Sequence, residues 1–183
     1  MSITAEPRNP AADSTATTIG THPPVNKFET FDPRTNTLIA EIEEMGSAQV
    51  EQAVDRARYL AGAWSALTYK ERSRHLLHVR DRLLDSAEEL VDTICAETGK
   101  QRAEAVTTEL MAVCETIGWY AKNGGQVLMP QSVSPGLMAH KKAWKRYESL
   151  GVIGVISPWN YPFTLSMTPV ITALFAGNTV VLN

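Results

Sequence analysis

Hydrophobic positions recur at helical spacing through much of the first two-thirds of the chain. Within residues 102–122 an apolar side chain returns every three or four positions, which predicts the longest helix of the protein. The stripe consists of Val106, Leu110, Val113, Ile117 and Tyr120. We expect the run Asn123-Gly124-Gly125 to end this helix, because glycine and asparagine favour turns.

Two helix starts before the long helix carry a recognisable capping pattern. Thr68-x-x-Glu71 and Ser86-x-x-Glu89 both fit the capping box, in which a hydroxyl and a carboxylate each bind a free backbone N–H at the helix start. They predict two separate helices. The second should stop at Gly99, since glycine tolerates the left-handed turn that follows many helices.

A strand and a further helix are predicted near the beginning of this region. Residues 37–42 alternate so that Leu38, Ala40 and Ile42 share one face, the pattern of a half-buried strand. Ser47 is then expected to cap the first helix of the chain.

The pattern changes towards the carboxyl end of the chain. Residues 141–149 suit an exposed strand, and residues 152–156 form a short β-branched run of the kind that parallel sheets bury on both faces. A proline-rich turn, an apolar helical stretch ending at Gly177 and a second strand at 179–182 follow. This order of strand, helix and strand predicts a βαβ unit, and therefore a parallel sheet.

Composition and charge limit the classes of partner. The 183 residues are 44% hydrophobic, which suffices for about one core. Lys and Arg number 17 against 20 Asp and Glu, so the formal charge of -3 gives no general attraction for nucleic acid or anionic lipid, and we expect neither as a partner. Residues 1–26 contain no signal-peptide core and are expected to form a disordered tail. With only two cysteines and no apolar run of membrane-spanning length, the sequence predicts a cytoplasmic protein.

The turn after the first parallel strand is the most informative segment. Residues 157–162 read Ser-Pro-Trp-Asn-Tyr-Pro and lie at the carboxyl end of that strand, where open α/β sheets bind ligands. Pro158 and Pro162 restrict the residues before them, which holds Trp159 and Asn160 in a defined direction. A fixed neutral amide can stabilise an oxyanion without a change of protonation. The pattern alone leaves open the alternative that Asn160 only hydrogen-bonds its own turn.

The motif around this turn extends along the chain. Residues 151–160 read Gly-Val-Ile-Gly-Val-Ile-Ser-Pro-Trp-Asn, and residues 176–182 read Ala-Gly-Asn-Thr-Val-Val-Leu. Upstream stand Phe31-Asp32-Pro33 and Glu97-Thr98-Gly99-Lys100. Together these motifs resemble the aldehyde dehydrogenase superfamily over nearly everything after the tail.

The resemblance implies an α/β, aldehyde dehydrogenase-like fold with an N-terminal helical layer and the first βαβ unit of a Rossmann-like parallel sheet. After the tail, residues 27–150 would form the helical region with a bridging or oligomerisation strand. Residues 151–183 would begin an NAD(P)-binding domain that is incomplete at Asn183.

The reaction implied by the resemblance is oxidation of an aldehyde to a carboxylic acid. In the family a cysteine thiolate adds to the carbonyl, hydride leaves to NAD or NADP, and water releases the thioester. The family's nucleophile, its general-base glutamate and its glycine-bearing cofactor turn lie beyond position 183, so this chain is expected to be inactive alone. Cys95 and Cys114 are expected to be small buried hydrophobes instead. The full-length form would be a homodimer or homotetramer.

The resemblance also assigns roles residue by residue. Asn160 matches the oxyanion-hole asparagine. Positions that contact the cofactor match Ile156, Ser157, Pro158, Trp159 and Asn183. Positions that line the substrate tunnel match Tyr161, Thr164, Leu165 and Thr168. At Asn183 the family usually has a lysine that contacts the cofactor ribose, and two alternatives stay open: a genuine substitution that weakens cofactor binding, or a sequence artefact.

Several weaker patterns favour other functions. His75 and His78 lie three positions apart, yet no further ligand is near in sequence, so no metal is expected. The basic and aromatic run 140–147 could suit single-stranded nucleic acid, but an exposed strand is the preferred interpretation, and the family resemblance implies that it lies at a subunit contact. The alternative to an enzyme is a non-catalytic interaction module that binds a full-length relative through the helical layer and the strand 141–149.

Overall fold

The computed structural model describes residues 26–138 and 140–183, so nearly all of the predicted tail 1–26 lies outside the described residues. The elements before the sheet are β1 (Lys27–Phe31), β2 (Leu38–Glu43), α1 (Ser47–Ala66), α2 (Tyr69–Asp85) and α3 (Ala87–Thr98). An unbroken helix then consists of α4 (Arg102–Glu104), a π-helical segment (Ala105–Met111), α5 (Ala112–Trp119), a second π-helical segment (Tyr120–Gly124) and α6 (Gly125–Leu128). We refer to residues 102–128 as the long helix. The remaining elements are β3 (Gln131–Val133), β4 (Ala143–Lys145), β5 (Val152–Val155), α7 (Pro162–Phe175) and β6 (Thr179–Leu182).

The first two strands form an antiparallel hairpin in which Lys27 pairs with Glu43. The strand predicted at 37–42 is therefore confirmed. The prediction that one of its faces is half-buried is wrong, because Leu38 is 47% exposed and Ile42 is 40% exposed. The apolar face of the hairpin has no extensive packing partner among the described residues.

Local capping chemistry explains the start of α2. The Thr68 hydroxyl accepts a hydrogen bond from the Glu71 backbone N–H at 3.3 Å, and the Glu71 carboxylate accepts one from the Thr68 N–H at 2.8 Å. The predicted capping box at this position is confirmed.

The other two predicted caps fail to different degrees: Ser47 is not the N-cap of α1, whereas Ser86 is the N-cap of α3 but forms no capping box. Gly46, not Ser47, is the N-cap of α1, because the Gln49 side chain bonds the Gly46 N–H at 2.8 Å and the helix begins one residue earlier than a serine cap would allow. Ser86 makes no side-chain cap bond. Its backbone N–H still bonds Arg82 at the end of α2, so its dihedral angles of -103° and 19° are not the extended ones that aim a capping hydroxyl.

The long helix does not end at Asn123-Gly124-Gly125 as predicted but continues to Leu128. The reason is packing: a Cβ atom on Gly124 would lie 2.3 Å from a ring carbon of Phe175, so glycine here permits a close approach of α7 rather than a turn. Gly99, in contrast, ends α3 with a φ of 72°, which confirms that prediction.

Two buried clusters form the core. The first joins α2, the long helix and α7 through Leu76, Val113, Ile117, Ile171 and Phe175. The second joins α3 to the long helix through Val91, Ile94, Ala105 and Leu110. The apolar stripe predicted on the long helix is thus the surface on which both clusters meet.

The βαβ unit is confirmed, since β5 and β6 pair in parallel with Val152 opposite Thr179 and with α7 between them in sequence. The exposed strand predicted at 141–149 is shorter than expected: only Ala143–Lys145 is a strand, and it pairs with β3. The architecture is therefore mixed α/β. None of the helices described here is both long and apolar enough to cross a membrane.

Candidate functional site

The turn of residues 156–161 joins β5 to α7 at the carboxyl edge of the parallel pair. Three of its side chains are open to solvent, since Ile156 is 84% exposed, Trp159 is 86% exposed and Asn160 is exposed as well. Asn183 follows β6 at the same edge, where its N–H donates to the Val155 carbonyl at 3.0 Å. The structure thus brings the predicted cofactor positions and Asn160 to one edge of the sheet.

A carboxylate from the long helix holds the start of α7. Pro162 at the first helical position has no N–H, whereas the N–H groups of Phe163 and Thr164 each donate to Glu109 Oε2 at 3.0 Å. Tyr161, the N-cap residue, makes no side-chain cap bond. The fully buried Glu109 therefore takes the place of a local cap, and its charge complements the positive end of the helix dipole.

Lys100 links the same carboxylate to the turn. Its ammonium pairs with Glu109 Oε1 and donates to the main-chain carbonyl of Asn160 at 2.7 Å. The ammonium also lies 3.8 Å from the centroid of the Tyr161 ring, a cation–π contact. The Lys100 side chain is 10% exposed and that of Glu109 is 0% exposed, so both charges are shielded from water and balance each other inside the protein.

Hydroxyl groups on both sides of the turn face the protein rather than solvent. Ser157 Oγ lies 2.5 Å from Ser166 Oγ, and Ser166 Oγ donates to the Pro162 carbonyl at 2.5 Å. Thr164 Oγ1 donates to the Thr108 carbonyl at 2.7 Å. The first turn of α7 is therefore tied to both the strand-to-helix turn and the long helix.

The four predicted substrate-tunnel residues do not share one direction. Thr164 hydrogen-bonds the long helix, and the Tyr161 ring lies against the Lys100 ammonium. Leu165 is 38% exposed, and Thr168 is half-buried. Of the four, Leu165 is thus the most open to an added molecule.

A different side chain holds the region just beyond the carboxyl end of α7. Asn178 is 6% exposed, and its Oδ1 accepts hydrogen bonds from the N–H groups of Leu150 at 2.7 Å and Gly151 at 3.0 Å. Its Nδ2 donates to the Ala173 carbonyl at 3.1 Å. One neutral amide therefore joins the end of α7 to the entry of β5.

Sequence reasoning did not assign Lys100 or Glu109 to the site. Glu109 lies three positions after Val106 and four before Val113, on the apolar stripe of the long helix. A carboxylate on such a face requires a buried partner, and that signal could have identified it. Its position in a π-helical segment, a form common near functional sites, is visible only in the structure.

The two cysteines are half-buried, whereas His75, His78 and His140 are exposed. Cys95 and Cys114 pack against the second core cluster, and burial raises the pKa of the Cys114 thiol, which disfavours the nucleophilic thiolate. His75 lies against Trp64 with ring centroids 5.6 Å apart. Among residues 26–138 and 140–183, no group of three His, Cys, Asp or Glu side chains is arranged to hold a metal ion.

An apolar groove of about 500 Å³ lies between α1 and the carboxyl end of the βαβ unit. Its walls include Leu60, Trp64, Leu174 and Val180. No residue of α1 is buried, so the helix presents apolar side chains along an open face.

Comparison with known proteins gives a consistent result. The family profile described as "Aldehyde dehydrogenase family" matches residues 21–183. The "4,4'-diapolycopene aldehyde oxidase" of Methylomonas sp is 37% identical over 152 residues, covering 82% of this chain and 29% of that protein. The "Probable succinate-semialdehyde dehydrogenase [NADP(+)]" of Sinorhizobium fredii is 32% identical over 165 residues, covering 88% of this chain and 33% of that protein.

Solved structures agree with the sequence relatives. The crystal structure of PnpE in complex with nicotinamide adenine dinucleotide matches with a TM-score of 0.78 at 26% identity, covering 86% of this chain and 32% of that chain. The chain therefore spans about a third of the length of the relatives it matches.

Proposed function

The chain belongs to the aldehyde dehydrogenase family, and from that premise we propose that it forms part of an enzyme that oxidises an aldehyde to a carboxylic acid with NAD or NADP. The observation that carries the proposal is the Asn160 turn at the carboxyl edge of the parallel strands, with its main chain held from behind by Lys100. Both cofactor names occur among the relatives, so the choice between NAD and NADP is left to experiment.

We assign Asn160 the role of oxyanion donor. When a thiolate adds to an aldehyde, the carbonyl oxygen gains negative charge, and an amide N–H at hydrogen-bond distance stabilises it. The Asn160 side chain is exposed, while its carbonyl is anchored, so the amide is free to meet a substrate without losing its backbone position. Because the charges of Lys100 and Glu109 balance each other, the amide acts in neutral surroundings.

The exposed edge fits a nicotinamide dinucleotide. Ile156 and Trp159 offer open apolar surfaces, and Ser157, Pro158 and Asn183 lie on the same edge. These residues would hold the cofactor, which supplies the hydride acceptor when bound. The chain's own contribution is to position the cofactor beside the Asn160 amide.

The catalytic thiol is not assigned within these residues. Cys95 and Cys114 pack against the core, and the raised pKa of the Cys114 thiol argues against a nucleophilic role. We therefore propose that the 183-residue chain alone is inactive. We further propose the division near Gly151 into a helical region and the start of a cofactor domain, a cytoplasmic location and a homodimeric or homotetrameric full-length form.

The decisive experiment is made on the gene product isolated from its source. Its intact mass is compared with 20.1 kDa, and its aldehyde-dependent reduction of NAD and NADP is measured. Replacing Asn160→Ala is expected to lower kcat about 100-fold to 1000-fold, because one oxyanion donor is lost.

Asn123→Ala is the matched control, since the Asn123 amide donates to the Trp119 carbonyl of its own helix, and it should leave turnover unchanged. Equal turnover by the Asn160 and Asn123 variants would overturn the oxyanion role. Turnover by the pure 183-residue chain would contradict its proposed inactivity.

A second candidate function is a non-catalytic module that binds an intact relative. The open apolar face of α1 and the adjoining groove favour it. Co-purification of the chain with a full-length aldehyde dehydrogenase in a fixed ratio would support this function, whereas aggregation of the pure chain without such a complex would count against it.

A further inference from the structure

A buried ion pair stands directly behind the Asn160 turn and takes no part in the reaction proposed above. Lys100 directly follows the residue that ends α3, and Glu109 lies in the first π-helical segment of the long helix. Their side chains are 10% and 0% exposed. The pair is therefore part of the protein interior, and its contacts define what it can do.

Each partner contacts a different part of the turn. Lys100 donates to the Asn160 carbonyl at 2.7 Å, and Glu109 accepts from the N–H groups of Phe163 and Thr164 at 3.0 Å. Two main-chain anchors therefore lie within four residues of each other, with Pro162 between them. The backbone on the carboxyl side of Asn160 is held at both points.

Stability alone does not explain such a pair. Burying two charges carries a large desolvation cost, and well-packed apolar residues of similar volume often stabilise a fold equally well. A neutral side chain could also cap α7. An ammonium is a strong donor to the Asn160 carbonyl, and an ammonium in this interior requires the Glu109 carboxylate as its partner.

We propose that Lys100 and Glu109 are positioning residues for Asn160. This inference rests on the proposed function, in which the Asn160 amide meets the substrate oxygen. The pair fixes the peptide between Asn160 and Tyr161 and the first turn of α7, so the side-chain amide leaves the backbone in one direction. Neither residue touches the substrate.

The test uses the isotopically labelled 183-residue chain and a double variant, K100M/E109Q. The glutamine keeps an acceptor for Phe163 and Thr164, while the methionine removes the donor to the Asn160 carbonyl. We expect a folded protein in which the carbonyl and side-chain amide resonances of Asn160 shift. Exchange of the amides at 163 and 164 should stay within about threefold of the wild-type rate, because their acceptor is retained.

The matched control is K122M/E104Q, which removes one exposed lysine and one exposed glutamate from the long helix. It should leave the Asn160 resonances unchanged. Lys100→Arg, which keeps the charge and the donors, should leave the Asn160 resonances closer to their wild-type positions than Lys100→Met does. Unchanged Asn160 resonances in folded K100M/E109Q would overturn the proposal.

A measurement on the wild-type chain does not depend on any variant folding. The ammonium protons of Lys100 should exchange with water at least about tenfold more slowly than those of the exposed Lys122. Equal exchange rates would overturn the proposal. If the resonances shift as expected but Asn160→Ala retains full turnover in the native gene product, the pair positions the turn and the oxyanion role is wrong.

Discussion

The two ends of α7 are both held by side chains from outside the helix, but by different chemistry. At the amino end, Glu109 and Lys100 bring two opposite charges from far along the chain. Near the carboxyl end, Asn178 is only three residues beyond the helix and uses one neutral amide. The first arrangement adjoins an exposed turn, and the second lies inside the packed framework.

The difference indicates that the contacts near the carboxyl end of α7 stabilise the fold, whereas those at the amino end orient the candidate site. Asn178 joins α7 to β5, so a change there disturbs the elements of the βαβ unit together. The charged pair adjoins a turn whose outward side chains have few packing contacts, as the exposure of Trp159 and Ile156 indicates. We therefore expect damage near the carboxyl end to unfold the unit, and a balanced change at the amino end mainly to reorient the turn.

Asn178→Ala should have the largest effect on stability. The change removes three hydrogen bonds, two accepted from the part-buried N–H groups of Leu150 and Gly151 and one donated to the Ala173 carbonyl, at a cost of about 3 kcal/mol in the free energy of unfolding. Urea denaturation followed by circular dichroism measures this loss. A loss below about 1 kcal/mol would show that the carboxyl end is not the stronger support.

Gly124→Ala should have an intermediate effect at the same end of the helix. The added Cβ would lie 2.3 Å from the buried Phe175 ring, and overpacking of this kind costs about 2 kcal/mol. Gly125→Ala is the matched control, because its nearest neighbour, the Tyr69 Cβ, would lie at an ordinary 3.6 Å. The control should be neutral or stabilising, since alanine favours helices more than glycine does. Equal urea midpoints for the two variants would refute this packing argument.

Thr68→Ala should have the smallest effect. It tests whether the local cap of α2 is independent of the cap that Glu109 provides for α7. Losing the hydroxyl of the α2 cap should cost about 1 kcal/mol, without shifting the Asn160 resonances. Hydrogen bonds from Thr68 hold the pKa of the Glu71 carboxyl below its ordinary value. Their contribution is therefore present above that ordinary pKa and is lost as the pH falls through the folded value.

Thermal melts between neutral and acidic pH check this prediction. The wild-type chain should lose more stability on acidification than Thr68→Ala does, because the variant has already lost the hydroxyl bond to Glu71. An identical pH dependence in the two proteins would contradict the role of the Thr68 hydroxyl in stabilising the Glu71 carboxylate. A shift of the Asn160 resonances in Thr68→Ala would contradict the independence of the α2 and α7 caps.

The parts of the fold that could be predicted depend on residues near one another in sequence. The Thr68 cap and the left-handed Gly99 are local, and the βαβ unit follows from the order of short patterns. The predictions at Ser86 and Gly124 failed for a common reason, because a neighbouring element determines the backbone conformation there. Ser86 is the C-cap of α2 as well as the N-cap of α3, and Gly124 packs against the Phe175 ring on another helix.

The same limit applies to the site. The Asn160 turn was identified from its prolines and its place after a strand, whereas the catalytic and binding roles of its residues remain predictions. The bond from Phe163 to Glu109 spans 54 positions in sequence, so its existence required a fold. The carboxylate on an apolar stripe gave a partial signal, because it required a buried partner without naming one.

The buried pair also constrains how the sequence can change over evolutionary time. Replacing Lys100 alone leaves the Glu109 carboxylate in the interior without its charged partner, and replacing Glu109 alone leaves the Lys100 ammonium without its partner. We therefore expect a single substitution at either position to destabilise the fold more than a coordinated replacement of both. Positions 100 and 109 are thus expected to covary among descendants of this gene, because a change at one position favours a compensating change at the other.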